Sequence, residues 1–309
     1  MQFLRQLRKT MITGGLRLGM EWSRRANDPT AVEVLRVVAR GVTRAAIPLR
    51  AYLATNMKLT GVYRPALIDA HFERAIDQLI MLAHVFRAGL PTSGCLEKFA
   101  FDDSFRFLEQ AYAAGKGVIN VAPHLCGYPV YPGVLTQRIP CSIYLRRNKD
   151  PRKMSITEAI GLAGGGHLVA PPENATRAQR LQVAMDVLRQ GRMLFITADT
   201  LRKPGEGVPV TLFGRTAHFP NGVYVMSMRT GAPVVPTVWH WENGAYRIRY
   251  GAPVELPRIG RIKEQTEAAT RTWAQSVDAF LREHPEMWWN WLDNRWTRII
   301  RAGPDQAGG

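Results

Sequence analysis

Apolar positions run along this chain in two rhythms. In the opening stretch Phe3, Leu4, Leu7, Met11 and Ile12 recur three and four apart among Arg5, Arg8, Lys9, Arg17, Arg24 and Arg25. An apolar side with a basic opposite side is the pattern of a helix lying in a membrane interface. Gly14 and Gly15 interrupt it, which leaves an ordinary surface helix packed on the protein as the other reading. The same period predicts a helical region from about Thr30 to Leu90, where Ile68, Phe72, Ile76, Leu79 and Ile80 share one core-facing stripe. From about Cys95 onward, short apolar runs alternate with amphipathic segments. The pattern predicts helices over 104–117, 152–166, 175–192 and 222–231, with a long C-terminal helix from about Glu264 that leads into an aromatic cluster. Strands are predicted over 117–123, 138–147, 167–172 and 193–199, a hairpin over 208–220, and paired strands over 232–256 around an Asn243-Gly244 turn. Such alternation implies an α/β fold, with a mixed, mostly parallel central sheet flanked by helices. The expected organisation is a basic amphipathic helix over 1–30, a single α/β domain over 31–300 and a disordered tail over 301–309.

Charge narrows the partners. Over 309 residues, 41 Lys and Arg against 25 Asp and Glu give a net charge of +16. That excess suits an anionic membrane leaflet, an acidic carrier, a phosphorylated substrate or nucleic acid. The basic residues are spread along the chain and no nucleic-acid-binding signature accompanies them, so nucleic acid is not the expected partner. Cys95, Cys126 and Cys141 are an odd set without metal-ligand spacing, which points to a reducing compartment without a disulfide framework. No apolar run reaches the roughly 18–20 residues that a membrane span needs. Membrane contact is therefore expected from a chain that lies on the surface.

The chemistry concentrates in the stretch "NVAPHLCGYPVYPG", Asn120 to Gly133. His124 follows a buried strand, and Gly127, Pro129 and Pro132 are expected to forbid a helix for several residues after it. A histidine there is either a general base, suited by an ordinary pKa near neutrality, or a packed strand-end residue. Asp199 ends the strand "MLFITAD", at the sheet edge where ligands gather in open α/β folds. Capping a loop is its other role. Arg146 and Arg147 end the strand over 138–147 and suit phosphate recognition. Gly164 to Gly166 lack the following lysine or serine that would make a phosphate loop. Trp288, Trp289, Trp291 and Trp296 either staple the last helix to the sheet, the favoured reading, or sit at bilayer headgroup level.

Several of these stretches occur together in a recognisable order: "GKGVINVAPHLCGYP", "YLRRNKD", "RQGRMLFITADT", "VPVTLFGRTAHFPNGVYVMSMRTGAPVVPTVW" and "HPEMWWNWLDNRW". In this the chain resembles the bacterial lipid A biosynthesis lauroyl/myristoyl acyltransferases, within the lysophospholipid acyltransferase superfamily. The resemblance implies transfer of a fatty acyl chain from a thioester of acyl carrier protein or coenzyme A to a hydroxyl or amine of a membrane lipid. It implies direct attack by the acceptor, with His124 as base and no metal or redox cofactor. It also implies a peripheral or monotopic place on the cytoplasmic face of the inner membrane. Arg146 stands where the family carries an arginine that meets phosphate or donor, with Arg147 as its neighbour. Phe213 and Gly214 match the family's Phe-Gly pair in the wall of the acyl groove.

One departure matters. The family's signature puts Asp or Glu five positions after the histidine, and here that position is Pro129. Three readings follow. The acid comes from elsewhere in space, with Asp199, Glu173, Asp102 and Asp103 as candidates, or His124 acts unassisted, or the protein is an inactive relative that binds lipid or a partner acyltransferase. Asp199 matches the family's aspartate at its position, whereas Thr200 replaces the usual glutamine. The missing acid suggests an acceptor other than a lipid A precursor.

Overall fold

The computed structural model describes residues 30–88, 93–144, 166–257 and 260–302, with Met154, Glu158 and Gly161 between them. The expected helix over 1–30, except Thr30, lies outside these residues, as do Arg146, Arg147, most of the helix over 152–166 and the tail beyond Ala302.

Among the described residues three helices come first: α1 Thr30–Ala45, α2 Ile47–Leu59 and α3 Pro65–Ala88. After the short α4 Ser93–Leu96 comes a seven-stranded sheet in the order β1-β9-β8-β2-β5-β3-β4. Its strands are β1 Phe99–Phe101, β2 Val118–Ala122, β3 Cys141–Tyr144, β4 His167–Val169, β5 Met193–Thr197, β8 Val234–Glu242 and β9 Ala245–Tyr250. All pairings are parallel except β8 with β9, which meet across Asn243 and Gly244, both at positive φ. An Asn-Gly turn suits that hairpin because its left-handed backbone matches the strand twist. Every residue of β2 is buried, as expected for a central strand covered on both faces. The hairpin β6 Val208–Leu212 and β7 Arg215–Phe219 forms a separate two-stranded sheet. Helices α5 Arg106–Ala113, α6 Tyr131–Thr136, α7 Arg177–Arg189, α8 Gly222–Thr230, α9 Ile262–Glu283 and α10 Asn294–Arg301 complete the described elements.

Two expectations are corrected. The segment after His124 does not exclude a helix: α6 forms there, with Pro132 in its first turn. A proline at that position forfeits no helical hydrogen bond, because the N–H it lacks has no intrahelical partner. β1 has no counterpart in the sequence pattern; three residues are too few to display alternation, and pairing with β9 creates the strand. Gly117, entering β2, has φ +70, and a Cβ there would lie 2.4 Å from the Leu188 carbonyl oxygen. Close approach of α7 to the sheet therefore requires glycine.

The C-terminal segment packs back on the sheet. After α9, two turns of 3-10 helix over Pro285–Met287 and Trp289–Leu292 run beside the chain that follows β2. The Cys126 N–H donates to the Met287 carbonyl at 2.7 Å and the Trp289 N–H to the His124 carbonyl at 2.8 Å. Trp288, Trp291 and Trp296 are fully buried and surround Phe213, with ring centroids 5.0–5.8 Å from it. These three indoles are a staple, and none sits at an exposed headgroup level. From the other side, α2 supplies Asn56, whose Nδ2 donates to the Trp291 carbonyl at 2.8 Å. α3 supplies His71, whose Nδ1 donates to the Glu286 carbonyl at 2.9 Å.

His71 is completely buried, and burial pushes its pKa from 6.5 down to about 4. Between those values the unfolded chain binds a proton that the folded chain refuses, so stability falls as pH drops through that window. Urea unfolding should therefore show a loss of roughly 3 kcal/mol between pH 7 and pH 4 attributable to this residue. His71→Gln should flatten that part of the profile, and an unchanged slope would reject the assignment.

Candidate active site

β2 and β5 are adjacent and parallel, with Ala122 opposite Thr197. Residues two beyond each strand therefore emerge side by side at the carboxyl edge, and these are His124 and Asp199. The Ala198 N–H donates to the Ala122 carbonyl at 3.1 Å, which extends the pairing one step toward them. Asp199 Oδ1 accepts the His124 backbone N–H at 3.0 Å and lies 2.5 Å from the ring Nδ1. Oδ2 accepts Trp288 Nε1–H at 2.9 Å and Asn290 Nδ2–H at 3.0 Å.

The electrostatics assign the protons. Burial alone pushes the Asp199 carboxyl up, but the positive form of His124, its ring hydrogen bond, Trp288 and the His124 N–H outweigh it and hold the carboxyl below its ordinary value. An ionised carboxylate only accepts, so Nδ1 carries a proton toward it, and in the neutral imidazole Nε2 is left to present its lone pair. Thr197 Oγ1 lies 3.0 Å from Nε2, placed to donate to that lone pair. The His124 side chain is 19% exposed and that of Asp199 is 0%. The ring is reachable while the carboxylate that orients it is sealed.

The neighbours are chemically quiet. Tyr128 packs edge-on against the His124 ring, centroids 5.0 Å apart, and burial pushes its phenol up to about 12. Burial likewise pushes the Cys126 thiol up, so this sulfur is no nucleophile at neutral pH. The intervening Gly127 has φ +92, and its N–H donates to Gln78 Oε1 of α3 at 2.8 Å. Trp239 Nε1–H donates to the Cys126 carbonyl at 2.8 Å. The loop carrying His124 is thus held by α3, β8 and the C-terminal segment together.

Of the four candidate acids, Asp199 alone meets His124. Glu173 and Asp103 are exposed, and Asp102 caps the 3-10 turn Asp103–Phe105 by accepting from the Ser104 N–H at 2.9 Å. Phe213 and Gly214 form the β6–β7 turn, both at positive φ. The Phe213 ring is buried against Trp288, which links it to Asp199 through one side chain. Sequence reasoning missed Trp288, Asn290 and Thr197 as parts of the site. Their only signals were a tryptophan-rich ending and a threonine two residues before the aspartate.

Residues 24–298 match the model of a family described as bacterial lipid A biosynthesis acyltransferase. Two relatives, the phosphatidylinositol mannoside acyltransferases of Mycobacterium tuberculosis strains CDC 1551 / Oshkosh and ATCC 25618 / H37Rv, are each 27% identical over 202 residues. The match covers 61% of this chain and 57% of each relative, so it spans little more than half the length of those proteins.

Trp288→Phe should separate packing from hydrogen bonding. It keeps a large ring but removes a donor to a buried carboxylate, a loss worth about 1.5–3 kcal/mol. Trp296, equally buried, has no partner for its Nε1 among the described residues, so Trp296→Phe should cost less. Equal urea midpoints for the two variants would contradict the role assigned to Trp288.

Proposed function

The chain belongs to the bacterial lipid A biosynthesis acyltransferase family, and on that premise we propose that it transfers a fatty acyl chain to a lipid, with His124 as general base and Asp199 as its orienting acid. The donor is the thioester of an acyl carrier protein or coenzyme A, and the acceptor is a hydroxyl or amine of a membrane lipid. The observation that carries this reading is the 2.5 Å contact between His124 Nδ1 and Asp199, which leaves Nε2 as an acceptor at a partly exposed edge. The acceptor oxygen or nitrogen attacks the thioester carbonyl as Nε2 takes its proton. The tetrahedral intermediate then collapses, expels the thiolate and returns that proton to sulfur. Asp199 stabilises the imidazolium that forms between the two steps. In this scheme an aspartate from the neighbouring strand does the work of the acid missing at Pro129. Pro129 taken alone would favour an inactive relative that binds lipid or a partner acyltransferase; the Asp199 contact supports catalysis instead.

Arg146 and Arg147 are assigned to phosphate on the acceptor or donor, and the acyl chain would lie along an aromatic wall backed by Phe213 and Gly214. The relatives' name adds phosphatidylinositol mannosides to lipid A precursors among the acceptors to test.

The same reading puts the chain peripherally on the cytoplasmic face of the inner membrane, and its surface supports contact with lipid. No helix among the described residues is long and apolar enough to cross a membrane. α1 packs Leu35 and Ala39 toward Ile76, Ile80 and Ala83 of α3. Its other side shows Val34, Val37, Val38 and Val42, each 55–68% exposed, and Ile47 beyond them is 71% exposed. Such a contiguous apolar stripe, on a chain of net charge +16 and next to the basic segment over 1–30, fits an anionic lipid surface.

Four outcomes test these assignments. His124→Ala should abolish transfer. Asp199→Asn should lower kcat by about 10³- to 10⁴-fold. With its amide oxygen toward Trp288 and Asn290, its NH₂ faces Nδ1, which forces the ring proton onto Nε2 and removes the base; with the amide reversed, the Trp288 N–H loses its acceptor. Mass-spectrometric lipidomics of a deletion strain should show one acylated lipid lost, restored by wild type and by neither variant; full restoration by His124→Ala would reject the mechanism. Val37→Asp with Val38→Asp should weaken binding to phosphatidylglycerol vesicles at least roughly tenfold in sedimentation without unfolding the protein.

A further inference from the structure

The resting site already holds a hydroxyl where the reaction requires one. Thr197 is the last residue of β5, and the ladder with Ala122 fixes its backbone. Its Oγ1 lies 3.0 Å from His124 Nε2. Nδ1 is committed to Asp199, so Nε2 is the one ring nitrogen with a lone pair, and Thr197 occupies it.

We propose that Thr197 decides whether the acyl donor is consumed by the acceptor or by water, by filling the acceptor-hydroxyl position at Nε2 until a bound acceptor displaces it. This rests on His124 being the base. A ring nitrogen at a partly exposed edge takes a hydrogen-bond partner, and without Thr197 that partner is water. A water held there beside a thioester is a nucleophile. Its oxygen bonds to the carbonyl carbon and Nε2 takes one proton. The intermediate then expels the thiolate, which recovers that proton, leaving free fatty acid and thiol. Excluding water from the base prevents this side reaction. Yielding to the acceptor is cheap in free energy, because one O–H···N bond replaces another and the threonine side chain only changes between staggered rotamers. Nothing in the transfer reaction itself demands a threonine here, so the hydroxyl acts through His124 as a positioning group.

Two measurements compare Thr197→Ala, which removes the hydroxyl and opens space for water, with Thr197→Ser, which keeps the hydroxyl. The first needs no substrate. Diethyl pyrocarbonate acylates an unprotonated imidazole nitrogen, and peptide mapping reads the rate at His124 with exposed His167 as the internal reference. Thr197→Ala should react roughly tenfold faster at His124, while Thr197→Ser stays near wild type. The second measures free palmitate released from palmitoyl-coenzyme A and from palmitoyl-acyl carrier protein without any lipid acceptor, and Thr197→Ala should raise it roughly tenfold. Unchanged rates in a folded Thr197→Ala protein would overturn the proposal. So would palmitate found esterified to Thr197, which would make that residue a nucleophile. Failure of the base assignment is distinguishable, since it shows as acyl transfer surviving in His124→Ala.

Discussion

A buried carboxylate with both oxygens fully engaged is the constraint on which this site depends. Asp199 receives donors from the loop after β2 on one oxygen and from the C-terminal segment on the other. An ionised group sealed from water costs several kcal/mol unless its partners are all present. Three distant parts of the chain must therefore be in register before the pair with His124 exists. The same requirement explains why so much aromatic surface sits behind it. Trp288 reaches Asp199 because Phe213, Trp291 and Trp296 hold its ring, and because Asn56 and His71 fasten the backbone on either side of it.

Parallel pairing supplies the rest of the geometry. Neighbouring parallel strands end at the same edge, so residues just past β2 and β5 converge without any long side chain having to reach. An acid five positions after the histidine would need only the local turn. An acid on the next strand needs the sheet, but it gains a rigid base and immunity from the prolines that shape the loop. Pro129 and Pro132 are then free to set the start of α6, which packs Tyr131 against Phe195 and Trp239 in the core.

Two surfaces divide the work around that centre. The exposed valines of α1 face away from α3, and α3 itself reaches the active loop through Gln78. A helix pair thus connects the exposed apolar stripe with the loop that carries His124. Thr197 belongs to the inner end of this arrangement, where a hydroxyl at the end of β5 meets Nε2 of His124.

Periodicity alone determined a great deal. Short continuous apolar runs located β2 and β5, and the 3.6- and 2-residue rhythms located both hairpins and most described helices, because burial repeats at those spacings. The stretch around His124 and the order of the neighbouring segments carried the family, since those residues are contiguous. Other features left no local trace. β1 is created by its partner, and α6 depends on where a proline falls in a first turn. Above all, no spacing distinguished Asp199 from Glu173, Asp102 or Asp103 as the partner of His124. That choice belongs to strand register, which brings Ala122 opposite Thr197 across 75 positions of chain. It belongs equally to the tryptophan segment, whose donors keep one of the four carboxylates charged in the dark of the core.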